Sequence, residues 1–147
     1  GKMGMSHCAL LGAHPEVDLV AICDPDGLLQ SAFKKLTGFQ VYDDYKKMIE
    51  TEKPEAIFVA TPTRFHSEMV LYALERGIHV FCEKPFSLTS EEGEKMVAVA
   101  KAKGCVNQAG YHNRFIGTFN EMKRLFAAGV IPFPFYGRGL RSCRFEA

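Results

Sequence analysis

One lysine in this chain stands where an amine can do chemistry. Residues Ile78 to Pro85 read Ile-His-Val-Phe-Cys-Glu-Lys-Pro, a buried-type strand that delivers Lys84 onto a proline whose ring restricts the local backbone. The carboxyl ends of strands in an open α/β sheet border the crevice where ligands bind, so an amine there is placed for proton transfer. On spacing alone a solvated lysine at a strand exit is the plainer reading. The residues around it reverse that.

The chain opens Gly1-Lys2-Met3-Gly4 and runs straight into a helical pattern, matching the last two glycines of G-x-G-x-x-G. In that motif one glycine lets backbone approach a pyrophosphate and the next permits close helix-to-strand packing, while the helix N-terminus supplies N–H donors. Alone, G-x-x-G is a weak signal. The run Val17 to Cys23 then ends at Asp24, 20 residues beyond Gly4, the spacing at which a carboxylate accepts hydrogen bonds from an adenosine ribose. Such a carboxylate repels a 2′-phosphate, and no arginine follows in Pro25-Asp26-Gly27, so the expected cofactor is NAD over NADP. A turn residue before Pro25 is the competing reading of Asp24. The run Ala56 to Ala60 exits through Thr61-Pro62-Thr63, with His66 just inside the next helix, and is expected to present amides, a hydroxyl and an imidazole to the cleft. Helix capping by a threonine and a surface role for His66 are the plainer alternatives. A further exit, Gly110 to Phe115, adds Arg114, suited to an anion or a carboxamide or, more plainly, to solvent.

These residues need a scaffold that brings strand ends together. Strand-type runs recur at Val17–Cys23, 40–41, Ala56–Ala60, His79–Cys82 and Cys105–Ala109. Between them, Met5–Leu11, Gly27–Leu36, Asp43–Thr51, Phe65–Arg76 and Ser90–Lys103 carry helical periodicity, with Ser90 as N-cap and Gly77 and Gly104 at helix stops. Alternation of this kind predicts βαβ units with right-handed crossovers, hence an α/β fold with a doubly wound, mainly parallel sheet. After Gly110 the texture changes: a helix over Phe115–Ala128, a proline-containing turn over Gly129–Pro134, and a strand over Phe135–Phe145 with arginines at 138, 141 and 144.

Composition narrows the function classes. The 147 residues are 47% hydrophobic and 24% charged, with a net charge of +1 and no basic run, which gives a nucleic-acid partner little electrostatic support. No apolar stretch approaches the roughly 18 residues of a membrane span and no signal-peptide layout opens the chain, so neither membrane nor export is expected and the cytoplasm is the default location. Cys8, Cys23, Cys82, Cys105 and Cys143 form no C-x-x-C pair, so no metal site is expected; Cys23, Cys82 and Cys105 read as core residues.

In this order and spacing, Gly1-Lys-Met-Gly4, Cys23-Asp-Pro25, Ala60-Thr-Pro-Thr63 with His66, Glu83-Lys-Pro85 and Gly110-Tyr-His-Asn-Arg-Phe115 resemble the glucose-fructose oxidoreductase, inositol dehydrogenase and rhizopine-catabolism (Gfo/Idh/MocA) family of NAD(P)-dependent oxidoreductases. The resemblance implies an N-terminal Rossmann domain, here residues 1–114, followed by a C-terminal α/β domain that holds substrate and builds a homo-oligomer, of which 115–147 would be the start. It implies hydride transfer between nicotinamide and a carbinol carbon of a sugar, cyclitol or related polyol. It makes Lys84 the catalytic amine, Glu83 a positioning residue pointing the other way along the strand, and Gly1, Lys2, Met3, Gly4, Asp24, Thr61, Pro62, Thr63, His66, Glu83, Lys84 and Arg114 cofactor neighbours. A cis Lys84–Pro85 bond, which about 5–6% of X-Pro bonds adopt, would fix the amine's direction.

The chain departs from the family at both ends. The first, central strand and the first fingerprint glycine are missing, so residues before Gly1 are expected in the natural protein, and a free chain starting at Gly1 is expected to be unstable or aggregation-prone. The aspartate and histidine that complete the family's catalytic set have no counterpart here, so the 147-residue piece alone is expected to be inactive. A non-catalytic NAD-binding sensor or scaffold is the main alternative, but it has no need of Lys84. A third reading, an interaction fragment, leans on Phe133-Pro-Phe-Tyr136 and the arginine-bearing strand.

Overall fold

The computed structural model describes residues 1–131, and the strand expected over 135–145, with Cys143, lies outside them. In chain order the elements are α1 (Lys2–Gly12), β1 (Ala21–Cys23), α2 (Gly27–Thr37), β2 (Gln40–Tyr42), α3 (Tyr45–Glu52), β3 (Ala56–Val59), α4 (His66–Glu75), β4 (His79–Cys82), α5 (Ser90–Lys103), β5 (Asn107–Ala109) and α6 (Gly117–Ala127), with short 3-10 turns at Thr63–Phe65 and His112–Phe115. The alternation is the α/β pattern expected from periodicity. The chain separates into two compact units, Gly1–Gly110 and Tyr111 onward. In the second, the 3-10 turn bearing Arg114 packs on α6.

Every strand pairing among the described residues is parallel. β1 pairs with β2, and β3, β4 and β5 form a second ladder in that order. The β4 register sets Cys82 opposite both Val59 and Ala109, so the carboxyl ends of three strands finish level with one another. Beyond the ladder the alignment continues: the Glu83 N–H donates to the Val59 carbonyl at 2.9 Å, and Gly110 N–H to the Cys82 carbonyl at 2.8 Å.

One face of this ladder carries the core. Ile57, Val59, Val80 and Cys82 alternate inward along their strands and meet Val70, Ala73 and Leu74 of α4 and Met96 and Ala100 of α5. His66, Val70, Ala73 and Leu74 fall at helical spacing on one buried stripe of α4. Phe58 and Phe81 point to the opposite face and stack at 4.8 Å, and His7 of α1 sits against both rings. Helices therefore cover both faces of the ladder, as in a doubly wound sheet.

Several expectations shift by a turn. The strand read over Val17–Cys23 forms only at Ala21–Cys23, where a parallel partner exists. Thr89, not Ser90, caps α5: its side chain accepts from Glu92 N–H at 3.3 Å while Glu92 Oε2 accepts from Leu88 N–H at 3.0 Å, a variant of the capping box. Ser90 is already the first helical residue. Gly104 closes that helix at φ 65°, where a Cβ is disfavoured. Of the cysteines read as core, Cys82 is fully buried, while Cys23 and Cys105 are half-buried. Burial pushes the Cys82 thiol up to about 12, and burial, with Asp44, Asp24 and Asp43 nearby, pushes Cys23 up to about 11, so neither is a reactive thiolate at neutral pH.

Candidate functional site

The level strand ends and the start of α1 meet at one edge of the first unit. Gly1 is the N-cap of α1, which has no described side-chain cap, as is also true of α4 and α6, whereas Asp26, Asp44 and Thr89 cap α2, α3 and α5. The first-turn N–H groups of α1 are left for another acceptor, which is the arrangement that receives an anion. A Cβ on Gly4 would lie 3.8 Å from Ala60 Cβ, so the helix rests close on the exit of β3. Gly1 has open space around it, and its nitrogen lies 3.8 Å from Asp24 Oδ2 at the end of β1. Lys2 and Met3 between the two glycines are exposed.

Asp24 takes the turn role considered for it. Its Oδ1 accepts the Asp26 N–H at 2.9 Å, closing an Asx turn, and its carbonyl accepts from Gln30 Nε2 at 2.8 Å. The turn thereby fixes the carboxylate with Oδ2 directed toward the glycine segment.

The Thr61-Pro62-Thr63 exit is held from inside. His66, expected to offer its imidazole to the cleft, is instead 0% exposed, with Nδ1 2.8 Å from the Pro85 carbonyl and Nε2 2.9 Å from the Thr61 carbonyl. The ring bridges the exits of β3 and β4 and has no nitrogen left for a ligand, so it supports the edge without lining it. The Thr61 hydroxyl turns to Met69 Sδ at 3.6 Å, Thr63 is half-buried and Pro62 is exposed.

At the β4 exit the two charged neighbours diverge, as an extended strand requires. The Lys84 side chain is exposed, its amine makes no described hydrogen bond or salt bridge, and the bond to Pro85 is cis. Glu83 is buried and turned under the edge, where Oε1 lies 2.8 Å from His7 Nε2 and Oε2 accepts the Lys84 N–H at 3.1 Å. Burial works against its ionisation, but the His7 hydrogen bond, the Lys84 amide and the nearby His7 and Lys84 side chains outweigh it and hold the carboxyl below its ordinary value of 4.5. A folded-state value below the unfolded one stabilises the protein above the unfolded value, and that contribution is lost as pH falls through the folded one. Urea midpoints measured from about pH 5 down to about pH 3 should therefore drop more steeply for the wild type than for Glu83→Gln.

Gly110 closes over this carboxylate. A Cβ there would lie 3.1 Å from both Glu83 Oε1 and Phe81 Cζ, inside ordinary contact distance. Gly110→Ala should cost about 1–3 kcal/mol in urea unfolding, because neither the pinned carboxylate nor the stacked ring has room to retreat. His7 had no signal in the sequence: a lone histidine three residues past Gly4 says nothing about a carboxylate 76 positions away. Arg114 is exposed and lies in the second unit.

Residues 1–111 match the sequence model of an oxidoreductase family with an NAD-binding Rossmann fold, Gfo/Idh/MocA. This chain belongs to that family. Among Gfo/Idh/MocA relatives, D-glucoside 3-dehydrogenase of Escherichia coli K12 is 33% identical over 140 residues, covering 93% of this chain and 40% of the relative. Myo-inositol 2-dehydrogenase of Lactobacillus plantarum superposes with a TM-score of 0.80 at 35% identity, over 90% of this chain and 40% of that one. Scyllo-inositol dehydrogenase of Lactobacillus casei, solved with NAD(H) and scyllo-inositol, gives 0.81 at 27% identity, over 90% and 40%. The sequence thus spans about 40% of the length of its Gfo/Idh/MocA relatives.

Proposed function

We propose that this chain is the dinucleotide-binding part of an NAD-dependent oxidoreductase that moves a hydride between NAD and a carbinol carbon of a sugar, cyclitol or related polyol. The observation that carries this reading is that α1 reaches three strand exits: Gly1 lies beside the fixed Asp24 carboxylate, Gly4 rests close to Ala60, and His7 meets Glu83 next to the exposed Lys84. Residues 1–114 are the cofactor domain and 115–147 the beginning of a second domain that would hold the substrate and mediate homo-oligomer formation in the cytoplasm.

The residues fit the cofactor. The α1 amides at Lys2 and Met3 would receive the pyrophosphate, with Gly1 giving backbone access and Gly4 letting the helix lie close to Ala60. Asp24 would accept ribose hydroxyls, and Thr61, Pro62 and Thr63 would border the nicotinamide half. Bound there, NAD supplies the hydride acceptor. Lys84 orients the substrate hydroxyl and takes part in removing its proton, for which a deprotonated amine is required; Glu83, turned under the edge, keeps its carboxylate off that path. A sensor that only binds NAD has no use for this lysine.

Titration calorimetry of the full natural chain with NAD and with NADP tests the reading. NAD should bind more tightly, and Asp24→Ala should weaken NAD by about 10- to 100-fold while leaving NADP little changed, the loss expected for a charge-assisted hydrogen bond. Tighter binding of NADP to the wild type would refute the Asp24 assignment.

A further inference from the structure

We propose that His7 is a positioning residue for Lys84, acting through Glu83 and tying the helix that opens the cofactor edge to the amine that works there. The inference deepens the reading above and rests on Lys84 being the working amine. Its basis is a pair of contacts on one carboxylate beside that amine: His7 Nε2 lies 2.8 Å from Glu83 Oε1, and Glu83 Oε2 accepts the backbone N–H of Lys84 at 3.1 Å. The two paired side chains are only 17% and 11% exposed, so the contact is shielded from water. Phe58 and Phe81 fix the imidazole ring, with centroids at 5.6 and 5.2 Å.

A purely structural role is a poor account of this pair. Joining α1 to a face built of Phe58 and Phe81 needs only an apolar side chain, and replacing buried ion pairs by well-packed apolar groups is often neutral or stabilising. What an apolar residue cannot do is hold a carboxylate away from the adjacent ammonium. Without His7, Glu83 keeps a largely buried charge whose nearest remaining cation is Lys84, and the carboxylate is drawn round the strand to it. The amine is then sequestered in an ion pair and less available as a base.

Trace acetylation of the full natural chain with acetic anhydride, read by mass spectrometry, reports the reactivity of Lys84 against the exposed Lys34 and Lys35 of α2 in the same molecule. His7→Leu should lower the Lys84 ratio about three- to tenfold. His7→Gln, which keeps an N–H donor, should restore it, and in a Glu83→Gln background His7→Leu should have no effect. An unchanged ratio in a cooperatively melting His7→Leu protein overturns the proposal, as does an equal fall in the double variant. Should His7→Leu not fold, His7→Asn, polar but too short to reach Glu83, carries the same two outcomes. The labelling needs neither NAD nor polyol, so failure to bind NAD would sink the proposed function alone, and a ratio indifferent to His7 would sink the positioning role alone.

Discussion

Lys84→Ala is expected to lower kcat by about 100- to 10,000-fold in the full natural chain while leaving NAD affinity within about twofold, the signature of a lost proton-transfer group. Polyol-dependent NADH formation with myo-inositol, scyllo-inositol and a glucoside, alongside calorimetry, provides both readouts. The fold should not register the change, because the side chain is exposed and held by no described partner. Parallel loss of turnover and NAD binding would assign Lys84 to cofactor binding. Unchanged turnover would remove it from the mechanism.

His66→Leu should behave oppositely. The substitution keeps the bulk of a fully buried side chain but removes the partner of the Thr61 and Pro85 carbonyls, which then sit in an apolar pocket facing a methyl group. One or two unsatisfied buried acceptors cost about 2–4 kcal/mol together, read as a lower urea midpoint at unchanged slope. Because those carbonyls belong to the two strand exits that frame the edge, NAD affinity and kcat should fall together in the protein that remains folded. Loss of turnover with stability and NAD affinity both intact would contradict the bridging role.

The contrast between these residues marks where the sequence was legible. The placement of Lys84 and Asp24 at strand exits could be read because each follows an apolar run closed by a turn residue. The α/β class was legible for the same reason, since alternating periods of two and 3.6 admit few layouts. His66 was assigned to the cleft on its place after Thr61-Pro62-Thr63, and the structure turns it inward, because a first-turn residue at spacing 66, 70, 73, 74 shares the stripe that meets the core. His7 was invisible because its partner is distant in the chain. The short β1 escaped for a physical reason as well: Val17 to Val20 has strand composition, but parallel pairing with β2 begins only at Ala21.

The core that faces α4 and α5 comes mostly from one stretch of chain, Ile49 to Ala100. Its strands and helices follow one another through short connections, so its contacts close small loops at low entropic cost. α1 is joined to that body by the His7–Glu83 link, 76 residues apart, a far longer closure. Loop-closure entropy therefore predicts a direction of assembly, in which the β3-to-β5 half consolidates as the nucleus and the glycine-bearing helix docks on it afterwards, an order that φ-values at Val80 and His7 would check. The cofactor edge is then the last region to gain order and the first to breathe, so a ligand seated there would stiffen the latecomer and act as the final step of folding.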